Sequence, residues 1–467
     1  MKQRFAILGV MLAALPAGCR SAPEADLAAL YDRSAGAHGP DRNPVVLLPG
    51  ILGSNLRDAQ SGKIVWGAFD GEYANPRRPE GARLVGIPMA RDATLAELRD
   101  EVVQNGSLDR IRIRLLGLPV GVGAYVNILS ALGVGGYRDE QLGLAGAVDY
   151  GEDHFTCFQF AYDWRRDLSE LASELHAFLV EREAYVRAEH AKRGHEVDRV
   201  RFDVVAHSMG GLVLRYYLRY GTSPLPADGS LPELTWAGAE LVERAIFIGT
   251  PNAGSVGAFE NLRRGVSFGP FLPRYSAAIL GTMPAIYQLL PRARHGWMVG
   301  VNDDPFDPAL WQRMEWGLAD PDLDDELAKL LPDHRVEERR EIARDHQAKC
   351  LARAEQFHRA LDVPSAPPPG TQLFLALGDA SDTPAQVHVE EDGSVWLDYG
   401  PGDDTVLRTS ALMDERLGGE WRPQLVSPIS WSQVQIFFEN HLGLTQDVAF
   451  TDNLLYLLLE DPRRGRL

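Results

Sequence analysis

The sequence predicts an α/β protein with a mostly parallel central sheet. Short apolar or β-branched runs lie near residues 45, 155, 201 and 244, each bounded by turn residues, as is typical of parallel strands covered on both faces. Helical patterns separate these runs, so strands and helices alternate along the chain. The composition, with 467 residues of which 45% are hydrophobic and 24% charged, provides enough apolar sequence for a full-sized core.

The individual elements follow from the same patterns. Strands are predicted at Pro44–Pro49, Phe155–Ala161, Phe202–Val205, Glu243–Gly249 and Gln372–Leu377, and a hairpin at Val387–Leu397 turning at Asp392–Gly393. Helices are predicted at Leu95–Val102, Leu168–Arg193, Arg335–Leu361 and Thr451–Leu459. Residues 43–255 and 367–467 are therefore expected to form the core of the fold. Residues 256–366 break the alternation and are expected to form an inserted helical cap, or lid, over the carboxyl edge of the sheet.

The overall charge argues against polyanionic partners. The formal net charge is −18 and no Lys/Arg-rich run stands out, so nucleic acid is not expected to bind. Contact with a membrane would then depend on apolar surface or on a covalent anchor rather than on charge. The acidic stretch 302–326 lacks the ligand spacing of a calcium loop, and neither a metal nor another cofactor is predicted.

The first nineteen residues have the features of an export signal. Two basic residues precede an apolar run over residues 5–15, and a small-residue cleavage site ends in Cys19. This pattern is similar to a bacterial lipoprotein signal, although Pro16 departs from it, and it predicts an exported cell-envelope protein anchored through a lipidated Cys19. The alternative is an ordinary secretory signal. Residues 20–42, rich in Ala, Gly, Pro and Asp, are predicted to be a flexible tether.

The stretch Arg201–Tyr217 is typical of a strand, a sharp turn and a helix, with Ser208 in the turn. Such a turn exposes the hydroxyl at a helix N-terminus, where developing negative charge is stabilised. It needs small neighbours, and these are Ala206 and Gly210, so alanine stands where the G-x-S-x-G pattern has its first glycine. The stretch therefore predicts a nucleophilic serine; the alternative is a glycine-rich β-to-α turn with an incidental serine.

Three other sets of residues are candidates for a catalytic or a structural role. Residues Gly50–Asn55 follow the first strand, where a glycine frees backbone N–H groups to complete an oxyanion hole; the alternative is a simple β-to-α turn, and the presence of Ser208 favours the oxyanion hole. Asp163 and Arg165 flank an aromatic residue at a strand end and are predicted to form a structural ion pair rather than a catalytic pair. Cys157 and Cys350 lie in apolar surroundings and are predicted to be two separate buried thiols.

The order of catalytic groups selects the base. In α/β-hydrolases the serine is followed by the acid and then by the histidine. Four of the six histidines after Ser208 lie in the predicted cap, and His388 lies within a hairpin strand, which leaves His441 as the base. Asp379 follows a strand directly, whereas Asp403 follows a strand and lies in a glycine turn. Both are candidates for the acid on order alone.

Six motifs in this order resemble the lecithin:cholesterol acyltransferase family: PVVLLPGILGSNL, YDWR, AHSMGGL, GTPNAGS, GDDTV and HLGL. The resemblance covers about residues 43–460 and is weakest over 57–117 and in the cap. It implies an α/β-hydrolase fold with a cap and lid that acts on phospholipid acyl esters. By position it implies Ser208 as the nucleophile, Asp403 as the acid and His441 as the base. It also implies that the oxyanion hole consists of the backbone amides of Ile51 and Met209.

The expected function is therefore that of a serine-dependent lipid acyltransferase or phospholipase with an acyl-serine intermediate. One alternative is a carboxylesterase or thioesterase that acts on smaller soluble esters. Another is a catalytically inactive lipid-binding lipoprotein, which would be expected to lack a member of the triad. Apolar residues of the cap favour a lipid acyl pocket, although packing of the cap itself would explain them equally: Phe268, Phe271, Tyr275, Ile279, Leu280, Ile286, Tyr287 and Leu289.

Overall fold

The computed structural model describes residues 25–68, 72–107, 110–115, 118–123, 125–151, 153–267, 273–390, 393–417 and 419–463. The predicted lipidation site, Cys19, lies outside the described residues, as do Phe268 and Phe271 of the predicted acyl pocket.

The strands in chain order are β1 (Val45–Leu48), β2 (Ser54–Asp58), β3 (Ile64–Trp66), β4 (Val102–Ser107), β5 (Arg110–Leu115), β6 (Leu118–Gly123), β7 (Cys157–Gln159), β8 (Phe202–His207), β9 (Val242–Ile248), β10 (Val266–Ser267), β11 (Arg274–Tyr275), β12 (Met298–Val299), β13 (Gln372–Gly378), β14 (Ser381–Val389), β15 (Val395–Gly402) and β16 (Gln433–Phe437). Six of them form the central sheet in the order β16-β13-β9-β8-β1-β7, and every neighbouring pair is parallel. The predicted α/β class is confirmed.

The helices in chain order are α1 (Leu27–Ala35), α2 (Pro79–Val85), α3 (Val126–Val134), α4 (Glu140–Leu144), α5 (Leu168–Lys192), α6 (Met209–Tyr220), α7 (Val256–Arg264), α8 (Ala277–Leu280), α9 (Pro284–Gln288), α10 (Pro308–Arg313), α11 (Asp324–Leu330), α12 (Val336–Asp362), α13 (Arg408–Leu412) and α14 (Val448–Leu459). None of the described helices is both long and apolar enough to cross a bilayer.

Both faces of the central sheet are buried, as its apolar strands predict. Because successive strand residues point to opposite faces, Val46 and Leu48 of β1 join a core with α5 and α6. Val45 and Leu47 join a second core with α3 and α14. All four residues have no exposed surface. The sheet is therefore rigid, and the loops that follow the carboxyl ends of its strands carry the candidate site.

The segment predicted as a flexible tether is in part helical, so that prediction is wrong over Leu27–Ala35. Asp26 caps α1 by accepting a hydrogen bond from the backbone N–H of Ala29. The Tyr31 hydroxyl, on the buried side of the helix, donates to the Asp452 carboxylate of α14 at 2.7 Å. Tertiary packing therefore orders a segment whose composition suggested a linker.

The region predicted as a cap contains α7 to α12. The long helix α12 packs against α9 and α6. Its predicted packing face is confirmed, because the following side chains are all buried: Ile342, Cys350, Ala354, Phe357 and Leu361. The boundaries of the cap stay a prediction.

Three smaller predictions have clear outcomes. The helix expected at Leu95–Val102 is wrong, because a turn occupies its first residues and β4 begins at Val102. Asp163 and Arg165 form the predicted structural ion pair at 2.7 Å, and the arginine has no exposed side-chain surface. Cys157 and Cys350 are free and buried, as predicted.

Candidate active site

Ser208 lies at the junction of β8 and α6, at the middle of the carboxyl edge of the sheet. Its backbone has φ +54° and ψ −127°, a conformation that L-residues rarely adopt and that marks a strained turn. The turn is held because the Ser208 N–H donates to the Ile248 carbonyl of β9 at 2.7 Å. The predicted strand, turn and helix are therefore all present, with the serine at the N-cap of α6.

Small residues around Ser208 are required by close backbone approach. A Cβ at Gly210 would collide with the Pro49 carbonyl, and a Cβ at Gly50 would lie 2.8 Å from the Cβ of Ser208. Ala206 continues β8 as a fully buried strand residue, so its position needs a small side chain but not the backbone freedom of glycine. This explains how alanine replaces the first glycine of the common pattern.

The structure brings together the three predicted side chains. The Ser208 Oγ lies 2.9 Å from Nε2 of His441, and Nδ1 of His441 lies 2.8 Å from Oδ2 of Asp403. All three residues are at most 7% exposed. The backbone N–H of His441 also donates to the Asp403 carbonyl at 2.8 Å, so main-chain as well as side-chain bonds join the last two loops. The catalytic role of these residues stays a prediction that the geometry supports.

Of the two candidate acids, Asp403 is the one that contacts His441. Oδ1 of Asp403 accepts hydrogen bonds from the backbone N–H groups of Thr405 and Val406, which leaves Oδ2 for the imidazole. Asp379 pairs instead with Arg408 at 2.6 Å. The hairpin of β14 and β15 intervenes between β13 and Asp403 and returns the chain to the end of β13. A Cβ built on Gly378, the last residue of β13, would lie only 2.7 Å from that of Asp403.

The predicted oxyanion-hole amides lie on two sides of the serine. Met209 is the first residue of α6 and fully buried, so its N–H is one of the free amides of a helix N-terminus. Ile51 follows Gly50 in the loop after β1. Among the described residues, no carbonyl or side chain accepts a hydrogen bond from either amide. Both amides are therefore available to a developing oxyanion, although this role also stays a prediction.

A cavity of about 430 Å³ opens above Ser208. Its walls are mainly apolar and include Leu52, Trp164, Val266, Leu280, Ile286, Leu289 and Leu397. Of the residues predicted to form an acyl pocket, Leu280, Ile286 and Leu289 line this cavity. Tyr275, Ile279 and Tyr287 are buried in the core instead. The polar residues Glu260, Asn261, Asp404 and Thr405 also line the cavity.

Sequence reasoning missed two residues beneath the site, Tyr125 and His207. His207 precedes the serine, and its ring centroid lies 4.8 Å from that of His441. Burial lowers the pKa of His207 to about 3, so the imidazole is neutral at physiological pH. The Tyr125 hydroxyl lies 3.0 Å from Nδ1 of His207. Tyr125 stands in a glycine-rich stretch with no local sign of function, whereas His207 adjoins the nucleophile.

The parallel sheet with a serine at its central strand–turn–helix junction places the chain in the α/β-hydrolase class. Residues 146–330 match the sequence model of the lecithin:cholesterol acyltransferase family, which confirms the resemblance over this stretch. It contains three of the six motifs: YDWR, AHSMGGL and GTPNAGS. The match supports acyl-ester chemistry on lipids, either hydrolysis or acyl transfer. Among curated proteins, none matches the chain.

Two solved structures are similar to this chain. The structure described as the Tle4–Tli4 complex is 15% identical with a TM-score of 0.54, over 89% of this chain and 98% of that chain. Lipase 1 from Pelosinus fermentans is 14% identical with a TM-score of 0.36, over 90% of this chain and 99% of that one. At 15% identity, the likeness to the Tle4–Tli4 structure concerns the fold alone.

Proposed function

We propose that this chain is a serine-dependent phospholipase and acyltransferase that cleaves phospholipid acyl esters through an acyl-Ser208 intermediate. The observation that carries the proposal is the continuous chain from Ser208 through His441 to Asp403, with distances of 2.9 and 2.8 Å, at the floor of a mainly apolar cavity. The family match supports the class of substrate.

The first half of the reaction acylates the serine. His441 Nε2 accepts the Ser208 proton as Oγ attacks the acyl carbonyl, and Asp403 holds the Nδ1–H tautomer and stabilises the imidazolium. The amides of Ile51 and Met209 receive the oxyanion. His441 then gives its proton to the leaving lysophospholipid. In the second half, water or an alcohol attacks the acyl-serine, and His441 acts again as base and then as acid.

The cavity favours a lipid over a small soluble ester. Its volume is about 430 Å³ and its walls are mainly apolar, so it has room for far more than a two-carbon acyl group. An acetyl group would leave most of this space filled with water in contact with apolar walls. A long acyl chain would displace that water, and each buried methylene would contribute about 0.8 kcal/mol to the binding free energy. Specificity should therefore rise with chain length.

The test compares phospholipid turnover by the wild-type protein and Ser208→Ala. The variant should fold normally and lose about four to six orders of magnitude in kcat, because the triad acts as a unit. Ser255→Ala is a matched control, since Ser255 lines the same cavity but donates to the Thr405 carbonyl. It should retain activity within a few-fold. Near-normal turnover by Ser208→Ala would end the proposal, and a preference for acetyl over long-chain esters would favour the soluble-esterase alternative.

The choice between hydrolysis and transfer depends on the acceptor, because both share the acyl-serine. Water is present at about 55 M, so transfer requires a bound and oriented alcohol with a large effective molarity. With phospholipid and a long-chain alcohol or sterol, we expect ester alongside fatty acid, in a ratio that rises with acceptor concentration. A ratio that stays at zero while phospholipid is consumed would restrict the function to a phospholipase.

We also propose that the protein is exported and anchored to a membrane through a lipidated Cys19. The leader pattern supports this proposal, since it ends in a cysteine at the expected cleavage site.

A further inference from the structure

A buried hydrogen-bonded chain runs beneath the candidate site. The Gly50 N–H donates to the Tyr125 hydroxyl at 2.7 Å, and that hydroxyl lies 3.0 Å from Nδ1 of His207. The Nε2 atom of His207 lies 3.2 Å from the backbone carbonyl of His441. Two side chains thus connect the loop after β1, which carries Ile51, with the loop that carries His441. Ser208 directly follows one of these side chains.

The donors and acceptors of this chain can be assigned in one way. A backbone N–H only donates, so the Tyr125 oxygen accepts from Gly50. The His441 carbonyl only accepts, so the proton of the neutral His207 imidazole lies on Nε2, which donates to it. Nδ1 of His207 is then an acceptor and receives the proton of the Tyr125 hydroxyl. Each group has its partner and no direction is left open.

The chain is also tightly enclosed. Tyr125 is 4% exposed and His207 2%. A Cβ on Gly53 would lie 2.9 Å from the Tyr125 ring, and a Cβ on Gly50 3.4 Å from Nδ1 of His207. Since buried groups that lose a hydrogen-bond partner cannot turn to water, the hydroxyl and the imidazole have little freedom to rearrange.

We propose that Tyr125 and His207 are positioning residues that hold the oxyanion loop and the His441 backbone in fixed register around Ser208. This inference rests on the proposed function. Neither side chain needs to touch the substrate. Tyr125 fixes the N–H of Gly50, and the Gly50 carbonyl accepts from the Gly53 N–H at 3.0 Å, so the peptides on both sides of Gly50 are held and with them the Ile51 amide. His207 fixes the main chain of the base, whose ring must reach Ser208 Oγ on one side and Asp403 on the other.

The consequence is kinetic. A misplacement of about 1 Å at a catalytic group can cost about a hundredfold in rate, although the cavity that binds the acyl chain is unchanged. Loss of the positioning chain should therefore lower kcat and leave KM nearly constant, because most of the cavity walls, apart from Ile51 and Leu52, lie outside the loop that Tyr125 holds.

The primary test is Tyr125→Phe, which removes one oxygen and keeps the ring. We expect kcat per active site to fall about 10- to 100-fold, with KM within about twofold. Active sites are counted by labelling with a long-chain fluorophosphonate, so a variant that merely unfolds in part loses labelled sites but keeps its kcat per site.

Tyr220→Phe is the matched control. Tyr220 is 1% exposed, and its hydroxyl donates to the Ala360 carbonyl at 2.7 Å, so the substitution deletes an equally buried tyrosine hydrogen bond away from the site. It should lower the thermal midpoint and leave kcat per labelled site unchanged. An equal kcat per labelled site in Tyr125→Phe and Tyr220→Phe would overturn the inference.

A second pair of variants tests His207. In His207→Gln the amide retains an N–H donor near the position of Nε2, whereas His207→Leu retains none. We therefore expect kcat per labelled site to be at least tenfold higher in His207→Gln than in His207→Leu. Equal values in the two would overturn the role of this bond. A wild-type protein that the fluorophosphonate fails to label would overturn the proposed function and this inference with it.

Discussion

Asp403→Asn is expected to lower kcat by about four orders of magnitude, and the hydrogen bonds of the carboxylate explain why. Oδ1 accepts from the backbone N–H groups of Thr405 at 3.1 Å and Val406 at 2.6 Å, while Oδ2 faces Nδ1 of His441. These two N–H groups need an acceptor, and only the oxygen of the asparagine amide can accept. The amide nitrogen would therefore take the place of Oδ2.

The amide would then donate its N–H to Nδ1 of His441, and the imidazole proton would move to Nε2. Nε2 lies 2.9 Å from the Ser208 Oγ and could no longer accept its proton. The negative charge that stabilises the imidazolium is lost as well. A four-decade loss corresponds to about 5 kcal/mol of transition-state stabilisation.

The assay is kcat on a long-chain ester, with the thermal midpoint measured to show that the fold is intact. Asp379→Asn is the matched control, because this carboxylate pairs with Arg408 at 2.6 Å, away from the imidazole. It should stay within tenfold of the wild-type kcat. If Asp403→Asn keeps more than a tenth of the activity, or if Asp379→Asn is the more damaged of the two, the assignment of the acid is refuted.

Three further predictions follow from the same structure. Gly50→Ala should lower kcat at least about a hundredfold, because the new Cβ would lie 2.8 Å from that of Ser208, whereas Gly39→Ala, with open space around it, should be neutral in the same assay. Burial lowers the pKa of His207 to about 3 and of His346 to about 4. The unfolded chain therefore takes up protons first as pH falls below about 6.5. The free energy of unfolding should drop by about 2 kcal/mol per histidine between pH 6.5 and 5, and a urea midpoint constant over that range would contradict this. Cys19→Ser should move the protein from the membrane to the soluble fraction, because each buried methylene of an anchor contributes about 0.8 kcal/mol; unchanged fractionation would argue against lipidation.

The strands of the core were predictable because burial on both faces leaves a continuous apolar run. β1 and β9 are buried at every position, and the sequence patterns located both within a residue or two. Composition alone gave the wrong prediction for segment 27–35, which is helical. Its Asp26 cap and the spacing of Leu27, Leu30 and Tyr31 are helical signals, but an Ala- and Gly-rich surrounding favoured a linker.

A site residue was predictable where it directly follows a strand of the central sheet. The choice of the acid was ambiguous because the β14–β15 hairpin lies between the sheet and Asp403. Ser208 follows β8 directly. Asp379 and Asp403 both follow strands, so chain order left both open and only the family resemblance favoured Asp403. In the structure, the return of the β14–β15 hairpin to Gly378 places Asp403 beside His441. Tyr125 had no local signal at all, since its partners Gly50 and His207 lie 75 and 82 residues away.

In the proposed function one triad serves both water and alcohol, which is consistent with the separation of the triad from most of the cavity walls. His441 is held by bonds from Asp403 and His207, and Ser208 by a bond from β9, so the reacting groups are fixed by the sheet and its loops. The cavity walls come mainly from residues 251–289 and from the β14–β15 hairpin, which lie outside that network. In the proposed reaction His441 deprotonates water and alcohol in the same way, so the walls and the polar residues beside them would decide which acceptor reaches the acyl-serine. Substitutions in the walls should therefore change the ratio of ester to acid, whereas those in the triad should lower both products together.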